Sequence, residues 1–171
     1  MIEVRVIPPT ELEALEPALG AILSACVEGG ASVSFMHPFS PADGEAFYRK
    51  LRPSFAAKER LLLGAFVDGK LAGSVQLVLS LPPNQPHRAE VSKLLVDPAA
   101  RGQGLAAQLM ELLETEARRH GKTLLVLDTV PGFPADRLYR RLGYTALGEI
   151  PNFALMPDGS PCNTVIFYKQ L

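Results

Sequence analysis

Isoleucine and valine alternate with charged residues at the start of the chain: Ile2, Val4 and Val6 are separated by Glu3 and Arg5, and Pro8-Pro9 follow. That period of two predicts a half-buried first strand stopped by the prolines. The period then lengthens. Leu12, Leu15, Leu19, Ile22 and Leu23 recur at helical spacing behind Thr10 and Glu13, a capping-box pair, and the helix should fade near Gly29-Gly30. Ser40-Pro41, with Glu45 close behind, predicts a second helix ending near Ala57. Residues 61–67 and 71–79 are apolar runs joined at Asp68-Gly69, a tight-hairpin sequence, so they should pair antiparallel.

Pro82, Pro83 and Pro86 then make a stiff polar connection to a strand over residues 89–96. Leu105, Leu109, Leu112, Leu113 and Ala117 share one helical face, and Arg118, Arg119 and His120 sit where cations suit a helix C-terminus, with Gly121 as the stop. Residues 124–128 form an apolar strand with Asp128 at its end, so residues 89–128 read as a parallel, right-handed strand-helix-strand crossover. A short helix over 136–142, closed by Gly143, precedes two strands over 144–150 and 163–170. The pattern predicts an α/β fold, a central mixed sheet of about seven strands with about four helices, in a single domain over residues 1–171.

Composition narrows the function classes. Hydrophobic residues make up 47% and charged residues 20% of the chain, proportions that can bury a core without staples. A net charge of −1 lacks the basic excess that nucleic acid or an anionic membrane would require, so any phosphate contact must be local. Cys26 and Cys162 are too few for a disulfide scaffold and read as reduced core thiols, which points to the cytoplasm. The first residues do not resemble a signal peptide, and no apolar run reaches the ~20 residues of a membrane span. His37, His87 and His120 lack metal-ligand spacing, so no metal is expected.

The most informative segment runs from Leu94 through Val96 and Asp97-Pro98 to Arg101-Gly102-Gln103-Gly104-Leu105-Ala106. An apolar strand ends in a basic, glycine-spaced turn that opens directly into a helix. Helix N-termini carry unpaired N–H groups and roughly +0.5 of a charge, which suits an anion. An ordinary helix start would show a Ser, Thr, Asp or Asn cap and early acids, yet the first acid after Asp97 is Glu111. Arg101 adds a permanent cation able to fork onto phosphate oxygens. No Gly-Lys-Ser/Thr follows, and Ala107 breaks the dinucleotide-binding glycine spacing.

What remains, Arg-x-x-Gly-x-Ala at residues 101–106, resembles the coenzyme A pyrophosphate loop of the GNAT N-acetyltransferase superfamily. Leu138-Tyr139-Arg140-Arg141-Leu142-Gly143-Tyr144 is the second motif, and the element order resembles the GNAT-like acyl-CoA N-acyltransferase fold over essentially the whole chain. Gly29-Gly30-Ala31-Ser32-Val33, Arg88-Ala89-Glu90-Val91, Leu127-Asp128-Thr129 and Met156-Pro157-Asp158-Gly159 look like the tabtoxin-resistance acetyltransferases. The resemblance implies acetyl-CoA as donor, backbone contacts from Leu94 and Val96 to the pantetheine arm, and amides of residues 102–106 on the pyrophosphate. It also implies base roles for Glu90 and Asp128, an acid role for Tyr139, and residues 29–36 lining the acceptor end. Asp136 stands where many relatives place Asn, and Pro131-Gly132-Phe133-Pro134 is unusually stiff.

Amine acetylation needs a base, a donor to the carbonyl oxygen and a proton for the departing thiolate. Strict alternation over residues 89–96 places Glu90, Ser92, Leu94 and Val96 on one face, turned toward a thioester beside Leu94. Glu90 then acts through water, or is a solvated carboxylate at a strand start. Asp128 ends its strand where open α/β sheets bind ligands, or caps its loop by bonding the Thr129 or Val130 amide. Tyr139 is a general-acid candidate, or core packing. Ser80, Ser92 and the cysteines lack a nucleophile context, which favours direct transfer between bound substrates. The phosphate loop with Glu90, Asp128 and Tyr139 motivates acetyl transfer to the primary amine of a small amino-acid-like molecule as the leading reading. Two other readings remain: a noncatalytic acyl-CoA-binding or sensing module, and a protein N-acetyltransferase. A homodimer is compatible with either.

Overall fold

The computed structural model describes residues 1–171. Its first half is an antiparallel meander: β1 (Ile2–Ile7) pairs with β2 (Arg60–Val67), β2 with β3 (Lys70–Val78), and β3 with β4 (Arg88–Val96). Asp68 and Gly69 take φ values of 49° and 78°, the two left-handed residues that a type I′ hairpin requires. β5 (Leu124–Thr129) lies parallel to β4, and β7 (Pro161–Gln170) separates β5 from the edge strand β6 (Thr145–Leu155), giving the order β1-β2-β3-β4-β5-β7-β6.

Helices cover both faces. α1 (Leu12–Glu28) and α2 (Pro41–Ala56) bury Leu19, Leu23, Val27 and Tyr48 against Leu62, Phe66 and Leu95 on one side. On the other, α3 (Leu105–Arg119) buries Leu105, Leu109 and Leu113 against Leu63, Val75, Leu77 and Leu125. α4 (Pro134–Arg141) adds Tyr139 to that second core beside Phe167. The seven strands and four helices match the arrangement anticipated from periodicity.

Two local expectations fail. No Thr10–Glu13 capping box forms, because Pro9 starts a short 3-10 turn over Pro9–Glu11 that places Thr10 inside helical backbone, and Glu13 turns to Arg52 at 3.4 Å. The box appears instead at α2, where Ser40 and Asp43 bond each other's backbone amides. β6 also runs past Pro151 to Leu155, across a register shift near Asn152 (φ 52°); an edge strand tolerates a proline that a central one would not.

α1 and α2 approach until their backbones touch. A Cβ on Gly44 would lie 2.5 Å from the Gly20 carbonyl oxygen, and one on Gly20 would lie 2.6 Å from the Glu45 nitrogen. Glu16, 2% exposed, is held across the same interface by Arg52, Nε to Oε1 at 2.5 Å and Nη2 to Oε2 at 2.7 Å. Gly44→Ala should therefore destabilise the fold by about 1–3 kcal/mol, the range for overpacking. Urea unfolding checks this: the midpoint should fall with the slope unchanged. A wild-type midpoint would show that the two helices separate without cost.

Candidate functional site

The parallel pairing of β4 with β5 covers three residue pairs, Arg88 with Leu124, Ala89 with Leu125 and Glu90 with Val126, and then stops. β5 continues to Thr129 paired only with β7. A wedge opens between β4 and β5, with a cleft of about 170 Å³ at its base lined by Glu90, Val126, Asp128, Phe153 and Ile166. Glu90 and Asp128, assigned separately on two strands, thus line one space.

The expected common face of Glu90, Ser92, Leu94 and Val96 does not exist. β3 pairs Gln76 with Ser92 but Ser74 with Leu95, so β4 carries a bulge at Lys93-Leu94, and Lys93 adopts φ 54°. One extra residue inverts the alternation beyond it. Glu90, Ser92 and Leu95 share the α1/α2 face with Ser74 and Gln76, whereas Val91, Leu94 and Val96 pack toward the α3 core. Leu94 and Val96 therefore offer the wedge their backbone edge and not a side-chain surface in line with Glu90.

The two carboxylates have different partners. Glu90 Oε1 accepts from Arg88 Nη1 at 2.8 Å, and Arg88 is held in turn by Gln85. Asp128 Oδ2 accepts from Thr164 Oγ1 at 2.8 Å, across the β5–β7 pair, and not from its own loop amides. Thr164 is 3% exposed, so this positioning bond is sheltered while Asp128 stays exposed.

Tyr139 stands on α4, 5% exposed, with its ring 5.7 Å from Tyr144 and 5.8 Å from Phe167. Burial pushes its phenol well above the ordinary tyrosine range, and the negative charge of Asp128 pushes it further. At neutral pH it is a proton-bearing group. Asp136 anchors α4: it accepts from the Gly132 amide at 2.7 Å and from Arg140 Nε at 2.8 Å. Burial raises its pKa, but these bonds outweigh burial and hold the carboxyl below the usual range. Its role is to fix the stiff loop ahead of α4.

The glycine-spaced turn leaves the open end of β4. Asp97 caps the 3-10 turn Pro98–Ala100 by accepting from the Ala99 amide at 2.9 Å. Arg101 is extended, Gly102 and Gly104 take φ values of 80° and 76°, and Gly104 heads α3 with no side-chain cap and no acid in the first turn. No protein oxygen accepts from the backbone amides of Arg101, Gly102, Gln103, Gly104, Leu105, Ala106 or Ala107. Leu105, 2% exposed, pins this first turn into the core, while residues 101–104 are exposed. Burial raises the pKa of the Cys26 thiol, which donates to the Val96 carbonyl, and the positive charge of Arg101 partly offsets that rise.

Sequence reasoning missed Lys93 and Thr164. Strict alternation placed Lys93 between Val91 and Leu95 on one face, a cation in an apolar row, and that inconsistency was the available sign of a bulge. Thr164 carried no such sign. No helix is long and apolar enough to cross a membrane, and no group of three or more His, Cys, Asp or Glu gathers closely enough to hold a metal ion.

The Acetyltransferase (GNAT) family model matches residues 31–144. The chain belongs to the GNAT acetyltransferase family. A stretch of 91 residues is 37% identical to an uncharacterized N-acetyltransferase of Azospirillum brasilense, covering 52% of this chain and 54% of that protein. The chain thus spans about half the length of the curated relatives it matches. Among solved structures, a ribosomal-protein-alanine N-acetyltransferase of Brucella melitensis superposes with a TM-score of 0.81 at 23% identity, over 99% of each chain. A Salmonella typhimurium protein solved with its cofactor acetyl-CoA superposes with a TM-score of 0.77 at 21% identity, over 99% of this chain and 94% of that one. These two superpositions establish the GNAT fold.

The coupling between Asp128 and Tyr139 is measurable. Asp128→Asn removes the charge that holds the phenol proton on, so the Tyr139 pKa should fall while burial keeps it above the ~10 of a free tyrosine. Phenolate absorbance in an alkaline titration, with Tyr139→Phe assigning the step, checks this. An unmoved step would show that the two groups do not sense each other.

Proposed function

We propose that this protein transfers an acetyl group from acetyl-CoA to the primary amine of a small, amino-acid-like molecule, by direct attack while donor and acceptor are bound together. The observation that carries the reading is the row of partnerless amides at residues 101–107, beyond the end of a strand that borders a cleft with two carboxylates, with a buried phenol near enough to feel the charge of Asp128. The first turn of any helix leaves its amides unpaired; here no side chain caps them and the amides of the preceding turn are open as well, a row that suits a diphosphate. The residues present fit the donor. Gly102, Gln103, Gly104, Leu105 and Ala106 supply N–H groups, Arg101 supplies charge, and the β4 edge at Leu94 and Val96, unpaired toward β5, supplies main-chain partners for the pantetheine arm.

Asp128 is the better placed base. Glu90 is committed to a guanidinium, while Asp128 is oriented by a hydroxyl and remains open to the cleft. Asp128 takes the ammonium proton, directly or through a water held with Glu90, and the freed amine attacks the thioester carbonyl. Tyr139 then gives its proton to the departing thiolate, and the second proton leaving the acylated nitrogen returns through water to the phenolate, which leaves a neutral amide and a free thiol. A carboxylate placed to take a proton, together with a phenol that burial keeps protonated, supplies the two groups that acid-base catalysis requires.

The acceptor end favours a small molecule. Residues 29–37 lie against the β6–β7 turn, with the His37 amide bonded to the Pro157 carbonyl at 2.9 Å and Ser32 Oγ 3.8 Å from Cys162 Sγ. We read this contact as the boundary of a small acceptor subsite. The sequence runs at 29–33, 88–91, 127–129 and 156–159 support placing the chain with the tabtoxin-resistance acetyltransferases. The free, buried thiols of Cys26 and Cys162 support a reducing, cytoplasmic setting. Acetylation of a protein N-terminus is the second reading, since the Brucella melitensis structure of the same fold is named for that activity.

Thiol release from acetyl-CoA across a panel of free amines and N-terminal peptides tests the proposal. Release with small amines supports it; release with peptides alone favours the second reading; CoA binding without release to any acceptor leaves a noncatalytic sensing module. Arg101→Ala should raise the KM for acetyl-CoA roughly 10- to 100-fold, the worth of one charge-assisted contact. Unchanged affinity would show that the phosphates bind elsewhere. Tyr139→Phe should lower kcat by roughly 10²- to 10⁴-fold with donor binding unchanged, the range of a general acid. Full activity would remove Tyr139 from the mechanism.

A further inference from the structure

The β4 bulge also redirects Lys93. Its φ of 54° is a left-handed conformation that residues with a side chain seldom adopt inside a strand, and it sends the side chain toward the loop between α1 and α2. There Nζ donates to Ser34 Oγ at 3.1 Å and stands 5.5 Å and 6.0 Å from the ring centres of Phe35 and Phe47. Two aromatic faces and a hydroxyl hold the ammonium in place, but none of them neutralises it.

The other lysines drawn into the fold have stronger partners. Lys169 binds both oxygens of Glu114 at 2.8 Å, and Lys122 donates to two carbonyls. Lys93 has no carboxylate within 4 Å. Burial lowers its pKa, the field of Asp128 raises it, and Arg60 lowers it again. Arg60 is itself engaged only with the neutral Ser54 and Gln76. Lys93 and Asp128 thus sense each other across a gap too wide for an ion pair, on the side of the sheet where Glu90 and Ser92 also face.

We propose that Lys93 is the specificity-determining cation of the acceptor subsite and receives the carboxylate of an amino acid whose amine lies at Asp128. An α-amino acid carries its ammonium and carboxylate on one carbon, so a single molecule presents a partner of opposite sign to each of the two groups. An acceptor without a carboxylate leaves Lys93 as it stands, half-buried and without a counter-ion, which the site disfavours. This inference rests on the acetyl-transfer reading and adds the acceptor's anionic group to it.

The test compares kcat/KM for common amino acids and their α-carboxamides in the wild type, Lys93→Met and Lys93→Arg, with the KM for acetyl-CoA and the melting temperature as controls. The wild type should prefer the acid by roughly 10- to 100-fold, the worth of a charged hydrogen bond. Lys93→Met should abolish that preference by losing activity on the acid and not on the amide, and Lys93→Arg should recover part of it. Equal loss on acid and amide, or a wild type indifferent to the carboxylate, overturns the inference alone and leaves Lys93 as an anchor for residues 34 and 35. A wild type that acetylates neither class while binding acetyl-CoA removes the acetyl-transfer reading, and this inference with it.

Discussion

The site depends on a parallel strand pairing that ends early. β4 and β5 share three residue pairs and then diverge at Glu90 and Val126. In a continuous sheet the next main-chain groups of β4 would be satisfied by β5, and no cleft would open beside Asp128. Divergence leaves a backbone edge on one side of the wedge and a carboxylate on the other. The bulge at Lys93-Leu94 lies just past the last pair and changes which residues face each layer at the same point.

The two helical layers keep the wedge open by fixing its walls independently. α1 and α2 pack through glycine contact and a buried Glu16–Arg52 pair, and they carry the loop that reaches Lys93 and the β6–β7 turn. α3 is pinned at its first residue by buried Leu105, so the turn ahead of it stays exposed without being loose. α4 brings Tyr139 from the opposite layer, where burial keeps it protonated. Tyr139 thus belongs to the core under α3 and α4, yet it still feels the charge of Asp128 on the cleft.

Much of this was legible before the structure. The hairpin at Asp68-Gly69, the crossover over residues 89–128 and the phosphate turn each rest on local chemistry: left-handed turn residues, an uncapped helix start, an all-apolar strand. The bulge was harder to read, because Lys93 is neither glycine nor asparagine and its one local sign is a cation in an otherwise apolar row. Tertiary packing on both faces of β4 imposes it. The parity error it produced carried Leu94 and Val96 to the wrong face and hid Lys93. The Asp128–Thr164 bond pairs residues 36 apart in sequence, a contact that only the β5–β7 register creates. The absent cap at Thr10 shows the converse: a correct local signal was overridden by the adjacent proline.

The central claim is that the unpartnered amides between Arg101 and Ala107 bind the diphosphate of coenzyme A. Amide hydrogen exchange of the full chain, with and without saturating coenzyme A, addresses it most directly. The account predicts that Gly102, Gln103, Gly104, Leu105 and Ala106 exchange fast in the free protein and become protected on binding. Coenzyme A that binds while these amides exchange as before would contradict it.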